Sequence, residues 1–380
     1  MNWLMMEAEN IVYPDYEGRS LYNLSQSIMQ NLGIQTRHPG IKDIPGDGKR
    51  LSVVLIDGFG YNAGKRAGII KEDDPFITSV FPSITTTALI TLMSGQMPGE
   101  HCVLGGTTFV KRFGTVIDNF RYSPVYSSGK DSLKSIMSMK EAYQVENIIE
   151  KANDSGKKCA IISPDFIKNS ELTTITNSSS GTHFNYYHLW DALDYYRKAL
   201  EGDSDFVYLY IPFADKLSHL YGPYSEPNLE ALRNIVGSIK SIAKEYSNKF
   251  RVVITADHGH VEAGKVYQMG ENLQVSSSFS IPPFGSTRSI FFSGNGALLD
   301  ALKAEMPGLQ IFDNSRQNFK KLLGSYEGHK KSSFDYIGVP INTDSYFYPG
   351  SLDEGNTTYF KGRHGGLHPD EMIIPLIIIE

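Results

Sequence analysis

The segment Leu51–Asp57, LSVVLID, decides the architecture of this chain. A short, mainly apolar run of this kind is typical of a strand that is covered on both faces, and here it ends on an acidic residue. Similar runs stand at Phe206–Ile211 (FVYLYI), Val252–Thr255 (VVIT) and Ile373–Ile379 (IIPLIII). Helical patterns, among them those over residues 139–155 and 184–200, separate these runs. The sequence therefore predicts an α/β domain with helices on both faces of a mostly parallel sheet.

Acidic residues and histidines follow three of the predicted strands. Asp57 comes directly after the first strand, Asp215 and His219 follow the second, and Asp257 and His258 follow the third. Because the carboxyl ends of parallel strands meet at one edge of a sheet, we expect these side chains to lie close together. Carboxylates combined with imidazoles suit Zn²⁺, Mn²⁺ or Fe. The sequence therefore predicts a metal centre at this edge.

Each of these residues has a structural alternative when it is taken alone. An Asp at a strand end, such as Asp57, commonly caps a helix or closes a turn. The i, i+4 spacing brings Asp215 and His219 to one face of a helical turn, but such pairs are commonly surface pairs. The joint arrangement at three strand ends favours metal binding over these alternatives.

Three threonines begin a predicted helix over residues 85–94. Pro82 ends the preceding extended stretch and Gly95 closes the helix. The structural interpretation makes the threonines an N-cap. In the functional interpretation, the Thr85 hydroxyl lies in the positive field of the helix N-terminus, beside free N–H groups that can donate hydrogen bonds to a phosphoryl oxygen. A metal ion beside it would make this hydroxyl a nucleophile.

Two histidines precede the last predicted strand. His364 is followed by two glycines, where the backbone can approach a metal closely. His368 stands before Pro369 and is the competing candidate, which we interpret as a surface histidine.

Changes in local amino-acid composition divide the chain into parts. Residues 262–350 are interrupted by serine, proline and glycine clusters, and we predict an inserted α+β subdomain that caps the site. Residues 51–261 and 351–380 are the predicted metal-binding catalytic core, and residues 1–50 a segment packed on it. Residues 105–135 have the composition of a loop and are expected to line a substrate entrance.

Composition narrows the class of protein. The net charge of −6 argues against binding to a nucleic-acid polymer or an anionic membrane, since both need a basic surface. Only Cys102 and Cys159 are present, which gives no disulfide framework. The N-terminus has no signal-peptide pattern and no run is long enough for a membrane span, so we expect a cytoplasmic protein.

These motifs, in this order, resemble the alkaline phosphatase superfamily, and most closely its nucleotide pyrophosphatase/phosphodiesterase branch. The resemblance implies a three-layer α/β/α sandwich with a central, mostly parallel sheet and a small inserted cap. It also implies two divalent metal ions, usually Zn²⁺, with Mn²⁺ or Fe compatible with the same donors.

The resemblance carries over residue by residue. Thr85 matches the family's nucleophile, which forms a covalent phospho-enzyme that is then hydrolysed. The first metal is expected to be held by Asp57, Asp257 and His258 together with Thr85. The second, which in the family binds a phosphoryl oxygen and activates the incoming water, is expected to be held by Asp215, His219 and His364.

One departure concerns substrate binding. Phosphodiesterases of this branch carry an Asn downstream of the nucleophile that clamps a phosphoryl oxygen, and residues 101–108 contain none. Backbone N–H groups of Gly105 or Gly106, or the Thr107 hydroxyl, are the candidate replacements. A sulfatase motif around the nucleophile is also absent, which disfavours sulfate ester hydrolysis.

The sequence therefore predicts a phosphoric ester hydrolase that cleaves phosphodiester or pyrophosphate bonds in a nucleotide-like small molecule. The alternatives on the same scaffold are a phosphomonoesterase, a phosphonate hydrolase and a phosphomutase. A non-catalytic, metal-stabilised binding module is the alternative from another class. We disfavour it because every expected ligand and nucleophile position holds a competent residue.

Overall fold

A computed structural model describes residues 11–44, 48–269, 277–306, 308–348 and 359–380. In chain order, its strands are β1 (Arg50–Ile56), β2 (Phe76–Thr78), β3 (Thr107–Val110), β4 (Thr115–Asp118), β5 (Ser123–Pro124), β6 (Cys159–Pro164), β7 (Thr182–Tyr186), β8 (Phe206–Ile211), β9 (Phe250–Thr255), β10 (Val261–Glu262), β11 (Val266–Gln268), β12 (Phe279–Ser286), β13 (Ser289–Gly294), β14 (Leu309–Asp313), β15 (Tyr336–Pro340), β16 (Ser345–Phe347), β17 (Gly362–Arg363), β18 (Ile373–Pro375) and β19 (Ile377–Ile379).

Its α-helices are numbered in the same way. They are α1 (Leu21–Asn31), α2 (Tyr61–Arg66), α3 (Thr85–Ser94), α4 (Pro98–His101), α5 (Met139–Tyr143), α6 (Ile148–Asp154), α7 (Glu171–Asn177), α8 (Leu189–Glu201), α9 (Phe213–Tyr221), α10 (Glu226–Glu245), α11 (Gly296–Glu305), α12 (Arg316–Leu323) and α13 (Pro369–Met372). Two short 3₁₀ helices lie at Ser132–Ser135 and Asp165–Ile167.

A six-stranded sheet in the order β19-β9-β1-β8-β6-β7 forms the centre of the molecule. Strand β1 pairs in parallel with both β8 and β9, and β6 pairs in parallel with β8 and β7. Only β19, at one edge, is antiparallel to its neighbour β9. Every residue of β8 and β9 is buried, so both faces of these strands are covered. The predicted mostly parallel, two-sided sheet is confirmed.

Helices supply the two outer layers. Helix α1 packs on β1 and α3, and α3 packs in turn on α7, whereas α8 covers β6–β8 and contacts α10. Helix α10 buries Leu229, Leu232, Val236 and Ile239, a spacing that keeps one apolar stripe toward the sheet. The predicted three-layer α/β/α sandwich is thereby confirmed.

Several predicted boundaries differ from the structure. The helix expected over 139–155 is divided, because Gln144 adopts a left-handed conformation with φ of 54°. The helix expected from residue 184 begins at Leu189, since the preceding residues form β7. The last apolar run is two strands that pair with different partners, β18 with β2 and β19 with β9.

A four-stranded and a three-stranded sheet lie beside the core. Strands β12, β13, β15 and β14 form an antiparallel sheet within the segment predicted to be an insertion, together with α11 and α12. Residues 105–135 were expected to be a loop, but they contain the three-stranded sheet β3-β4-β5, which fits the β-branched residues in this segment. Residues 1–10 of the predicted N-terminal segment and the predicted boundary at residue 350 lie outside the described residues. In the described part of the chain, no helix combines the length and apolar character that a membrane crossing requires.

Candidate metal centre

The carboxyl ends of β1 and β9 bring the side chains of the first predicted site together. His258 Nε2 lies 3.2 Å from Asp257 Oδ2 and 3.5 Å from Asp57 Oδ1. The Thr85 hydroxyl approaches from the start of α3, with Oγ1 3.2 Å from His258 Nε2. These four residues come from three parts of the chain, and the parallel arrangement of β1 and β9 delivers three of them to one edge of the sheet.

The second predicted site lies beside the first. Helix α9 starts directly after β8, so Asp215 and His219 share one face of its first turns, with His219 Nε2 3.3 Å from Asp215 Oδ1. The His364 Nε2 atom lies 3.2 Å from His219 Nε2. Asp215 is also within 4.8 Å of ligand atoms of Asp57 and His258, so it stands between the two sites rather than only in the second.

Main-chain carbonyls orient the three predicted histidine ligands. Because a carbonyl only accepts hydrogen bonds, each Nδ1 carries the proton and each Nε2 lone pair faces the interior of the site. The contacts run from His258 to Gly259 at 3.1 Å, from His219 to Gly362 at 2.8 Å and from His364 to Ser83 at 3.2 Å. All three imidazoles are therefore held in the tautomer that binds a cation through Nε2.

Buried carboxylate oxygens without partners mark where cations would bind. Asp57 Oδ1, Asp215 Oδ1 and Asp257 Oδ2 are buried and accept no hydrogen bond from the described residues. The second oxygen of Asp57 accepts from the Tyr210 hydroxyl, and Asp257 Oδ1 accepts from the N–H of Gly58 at 3.1 Å. Unpaired oxygens of this kind cost free energy unless a cation balances them, so the residues fit a pair of divalent ions.

The electrostatics of the site point the same way. Burial raises the pKa of Asp57, and the neighbouring charges of Asp257 and Asp215 raise it further. Burial also raises the pKa of Asp257. Burial acts to raise the pKa of Asp215 as well, but His219 and other imidazole contacts outweigh it and hold that pKa below its usual value. Burial, together with the surrounding histidines, lowers the pKa of His364. Crowded, buried carboxylates beside imidazole nitrogens form a cluster that is receptive to cations.

Of the three threonines at the start of α3, only Thr85 faces this cluster. The Thr86 hydroxyl donates to the Gly105 carbonyl at 2.8 Å, and the Thr87 hydroxyl donates to the Val103 carbonyl at 2.9 Å. Successive residues of a helix point about 100° apart, so the two neighbours turn toward the adjoining loop.

The sequence interpretation missed His260, which belongs to the cluster. Its ring is buried, and its Nε2 lies 3.1 Å from Asp215 Oδ1. Asp215, His219, His260 and His364 offer ligand atoms that all lie within 4.8 Å of one another. The available signal was a second histidine in the short motif Asp257–His260. The competing candidate His368 instead caps α13, where its Nδ1 accepts from the Asp370 N–H at 3.2 Å.

A cavity of about 770 Å³ opens above the cluster, with Asp57, Thr85, Asp215, His219 and His364 in its lining. Its other walls are largely apolar and aromatic, and the hairpin between β12 and β13 contributes Ser286 and Thr287. A smaller cavity of about 180 Å³ adjoins it and shares Ile84 and Phe120.

The three predicted substrate-binding residues lie at or behind this smaller cavity. Gly106 and Thr107 line it. The Thr107 hydroxyl accepts from the Gly285 N–H at 2.8 Å, and the Gly105 carbonyl accepts from the Asn119 side chain at 2.7 Å. Their role in binding substrate stays a prediction.

Comparisons with known proteins agree with this geometry. The model of the type I phosphodiesterase / nucleotide pyrophosphatase family matches residues 67–322, more than half of the chain. Human ectonucleotide pyrophosphatase/phosphodiesterase 5 is similar in structure, with a TM-score of 0.63 and 14% identity over 87% of each chain.

The murine form of that protein is similar at 13% identity, with a TM-score of 0.61 over 86% of this chain and 87% of that one. An inactive threonine-to-alanine variant of the murine protein, in complex with AMP, is similar at 12% identity, with a TM-score of 0.60 over the same shares. At these identities the structures share the fold alone. No curated protein matches the chain.

Proposed function

Since this chain belongs to the type I phosphodiesterase / nucleotide pyrophosphatase family of enzymes, we propose that it hydrolyses phosphodiester or pyrophosphate bonds of a nucleotide-like small molecule through a phospho-threonine at Thr85. Two divalent cations, Zn²⁺ in preference to Mn²⁺ or Fe, are held by the residues of the metal centre. When bound, these cations supply positive charge that lowers the pKa of the attacking hydroxyl and of water.

The position of Thr85 carries this proposal. Its hydroxyl is the one of three adjacent threonine hydroxyls that faces the cavity, 3.2 Å from a predicted metal ligand. It also belongs to the first turn of α3, a helix of 10 residues whose N-terminal N–H groups have no partner within the helix. These N–H groups and the helix dipole favour a phosphoryl oxygen at this point.

The chain's own residues then account for both steps. Thr85 Oγ1 forms a bond to phosphorus while the bond from phosphorus to the leaving oxygen breaks on the opposite side. Water next attacks the same phosphorus, breaks its bond to Thr85 and returns the hydroxyl proton. Tyr210 keeps the Asp57 carboxylate in place through its hydrogen bond, so the residues around Thr85 do not have to reorganise.

The size and lining of the cavity support a nucleotide-like substrate. A volume of about 770 Å³ accommodates a nucleoside monophosphate, and Phe120, Phe166 and Phe213 offer faces on which a base can pack. The AMP complex of the murine protein, which has the same fold, agrees with this substrate class. The same protein is inactive as a threonine-to-alanine variant, which agrees with a nucleophilic threonine.

A comparison of substrates tests the proposal. We expect Zn²⁺-loaded protein to cleave bis-p-nitrophenyl phosphate and a dinucleotide pyrophosphate with higher kcat/KM than p-nitrophenyl phosphate. Acid quenching during turnover of a ³²P-labelled nucleotide should trap label on Thr85, which peptide mass spectrometry locates. A preference for the monoester would favour the phosphomonoesterase alternative. Turnover without any trapped label in the wild type or in Thr85→Ser would exclude the covalent step.

A further inference from the structure

His260 is a buried imidazole beside the carboxylate of Asp215. It lies on the loop that follows β9, two residues beyond His258, and its side chain has no exposed surface. Neither ring nitrogen makes a hydrogen bond within the described residues. Buried polar atoms normally have partners, so an imidazole with two unpaired nitrogens requires an explanation.

His101 gives the contrast within the same chain. It is also fully buried, but its Nε2 lies 3.0 Å from the Thr91 hydroxyl and its Nδ1 accepts from the Val103 N–H at 3.0 Å. An imidazole that serves only as a core residue therefore has both nitrogens satisfied here. His260 differs from His101 in this respect, although both are equally removed from solvent.

The unpaired Nε2 of His260 is directed at the second site. It lies 3.1 Å from Asp215 Oδ1, an oxygen that is itself buried and unpaired. The His260 ring centre lies 4.8 Å from the ring centres of both His219 and His364. Four potential donors of one cation therefore surround a space that a single ion can reach, because they lie within 4.8 Å of one another.

We propose that His260, through Nε2, is a fourth protein ligand of the cation held by Asp215, His219 and His364. This inference rests on the metal centre of the proposed function and adds a ligand to it. A cation at this position would bind both His260 Nε2 and Asp215 Oδ1, whereas the described residues give neither atom a hydrogen bond.

The extra imidazole has a consequence for metal selectivity. With His260, the second site offers three imidazoles and one carboxylate, whereas the first offers one imidazole, two carboxylates and the Thr85 hydroxyl. Imidazole donors favour Zn²⁺, and carboxylate donors accept Mn²⁺ readily. The second site is therefore expected to discriminate against Mn²⁺ more strongly than the first, and His260 is a source of that difference.

The rival role for His260 is a hydrogen bond from Nε2–H to Asp215 that only orients the carboxylate. Comparison of the variants His260→Ala and His260→Gln distinguishes the ligand role from the hydrogen-bonding role. Glutamine can donate a hydrogen bond to Asp215 but offers no imidazole donor. The Nδ1 atom of His260 makes no hydrogen bond with the described residues. Replacing His260 therefore breaks no main-chain contact of the kind that His219 or His364 makes.

The test measures metal binding rather than turnover. Metal-free full-length protein is titrated with Zn²⁺, Mn²⁺ and Co²⁺ against a competing chelator. Mass spectrometry measures the number of metal ions bound, and the absorption spectrum of bound Co²⁺ indicates the number of its ligands. We expect the wild type to bind two Zn²⁺. In both His260→Ala and His260→Gln, one ion should bind at least about 100-fold more weakly, beyond the 10–100-fold typical of lost outer hydrogen bonds. Its preference for Zn²⁺ over Mn²⁺ should fall as well.

His101→Gln is the matched control, because it replaces a buried histidine outside the centre and should leave both affinities unchanged. Circular dichroism and thermal unfolding of each metal-free variant establish that it is folded. Wild-type affinity in His260→Ala, or restored affinity in His260→Gln, overturns the ligand role of His260 alone. A wild type that binds no second cation overturns both this inference and the two-metal function.

Discussion

At the scale of single residues, the direction of each side chain decides its chemistry. Thr85, Thr86 and Thr87 are chemically alike and adjacent, but the hydroxyls of the last two donate to main-chain carbonyls of the neighbouring loop. The same holds for the histidines, since a carbonyl on Nδ1 fixes which nitrogen faces the metal centre. Hydrogen bonds to the main chain therefore decide which of several equivalent atoms face the candidate metal centre.

Replacement of the three threonines tests this selection. Thr85→Ala should keep both cations and the fold but lower kcat by several orders of magnitude, because the covalent route needs this hydroxyl. Thr86→Ala and Thr87→Ala remove one hydrogen bond each, which contributes about 1 kcal/mol to stability, and should retain most of kcat. Steady-state kinetics, metal analysis and thermal unfolding of the three variants provide the measurement. An inactive Thr86→Ala beside an active Thr85→Ala would contradict the assignment.

At the scale of elements, one buried ion pair joins the antiparallel sheet to the metal centre. Arg288, in the turn between β12 and β13, contacts both oxygens of Glu371 in α13, at 2.6 and 2.8 Å. Glu371 also accepts from the N–H of Gly366 at 2.9 Å and of His368 at 3.2 Å, within the loop that begins with His364. The guanidinium and these N–H groups outweigh the effect of burial and hold the pKa of Glu371 below its usual value.

Breaking this pair should affect both stability and the second metal site. Glu371→Gln leaves the Arg288 charge buried without its counter-ion, which costs on the order of 3–5 kcal/mol. The loop of His364 should also loosen, so the second cation should bind more weakly while the first is retained. Thermal unfolding and metal titration check these two effects.

Glu380→Gln is the matched control for that experiment. It breaks the pair between Arg251 and Glu380, which lies at the edge of the central sheet and whose Glu380 side chain is 58% exposed. Arg251 stands near the amino end of β9, whereas the candidate metal centre lies beyond the carboxyl end of that strand. This variant should therefore bind both cations as the wild type does. Equal effects of the two substitutions on the second cation would contradict the role of the Arg288–Glu371 pair.

The elements beside the core should determine substrate preference. Phe120, between β4 and β5, lines both the main cavity and the smaller cavity, and its side chain is 42% exposed. Phe120→Ala should raise KM for an aromatic or nucleoside diester severalfold, because a packing surface is lost, while metal content is unchanged. Tyr187→Ala removes an exposed aromatic side chain outside the cavity and should change neither. Unchanged KM in Phe120→Ala would contradict the packing of the substrate on Phe120.

At the scale of the whole molecule, the metal centre couples stability to pH. In the cation-free protein, the raised pKa values of Asp57 and Asp257 mean that the folded chain binds these protons more tightly than the unfolded chain does. This contribution to the free energy of unfolding is therefore largest below the ordinary Asp pKa of about 3.9 and falls as the pH rises. The lowered pKa of the buried His364 acts in the opposite sense, since it favours unfolding at acid pH.

The stabilisation by Zn²⁺ should accordingly grow with pH. Cations compete with the protons on Asp57 and Asp257, so their contribution is complete above the raised pKa values and is lost as the pH falls through them. We expect the difference in Tm between Zn²⁺-loaded and chelator-treated protein to be larger at about pH 7.5 than at about pH 5. Differential scanning calorimetry at both values measures it, and subtraction of the chelator-treated protein removes the terms that do not depend on metal. A difference that is constant or larger in acid would contradict this linkage.

Local patterns in the sequence were sufficient to predict the sheet and the residues expected at its carboxyl edge. A buried parallel strand is recognisable in the sequence as an apolar run. The residues that follow its carboxyl end lie at one edge of the sheet, so Asp57, Asp215 and Asp257 could be assigned to that edge. His364 was also found from its own motif. The division of residues 139–155 into two helices could not be predicted, because a single left-handed residue, Gln144, ends the first helix.

The contacts between these parts could be read only from the folded chain. It brought His260 beside Asp215, placed Asp215 between the two sites and joined Arg288 to Glu371 across a separation of 83 residues. Such contacts depend on how loops fold over the ends of the strands, and no periodicity in the sequence encodes them. The hydrophobic pattern of the sequence indicates which side chains are buried, whereas the partner of each buried polar atom depends on packing in three dimensions.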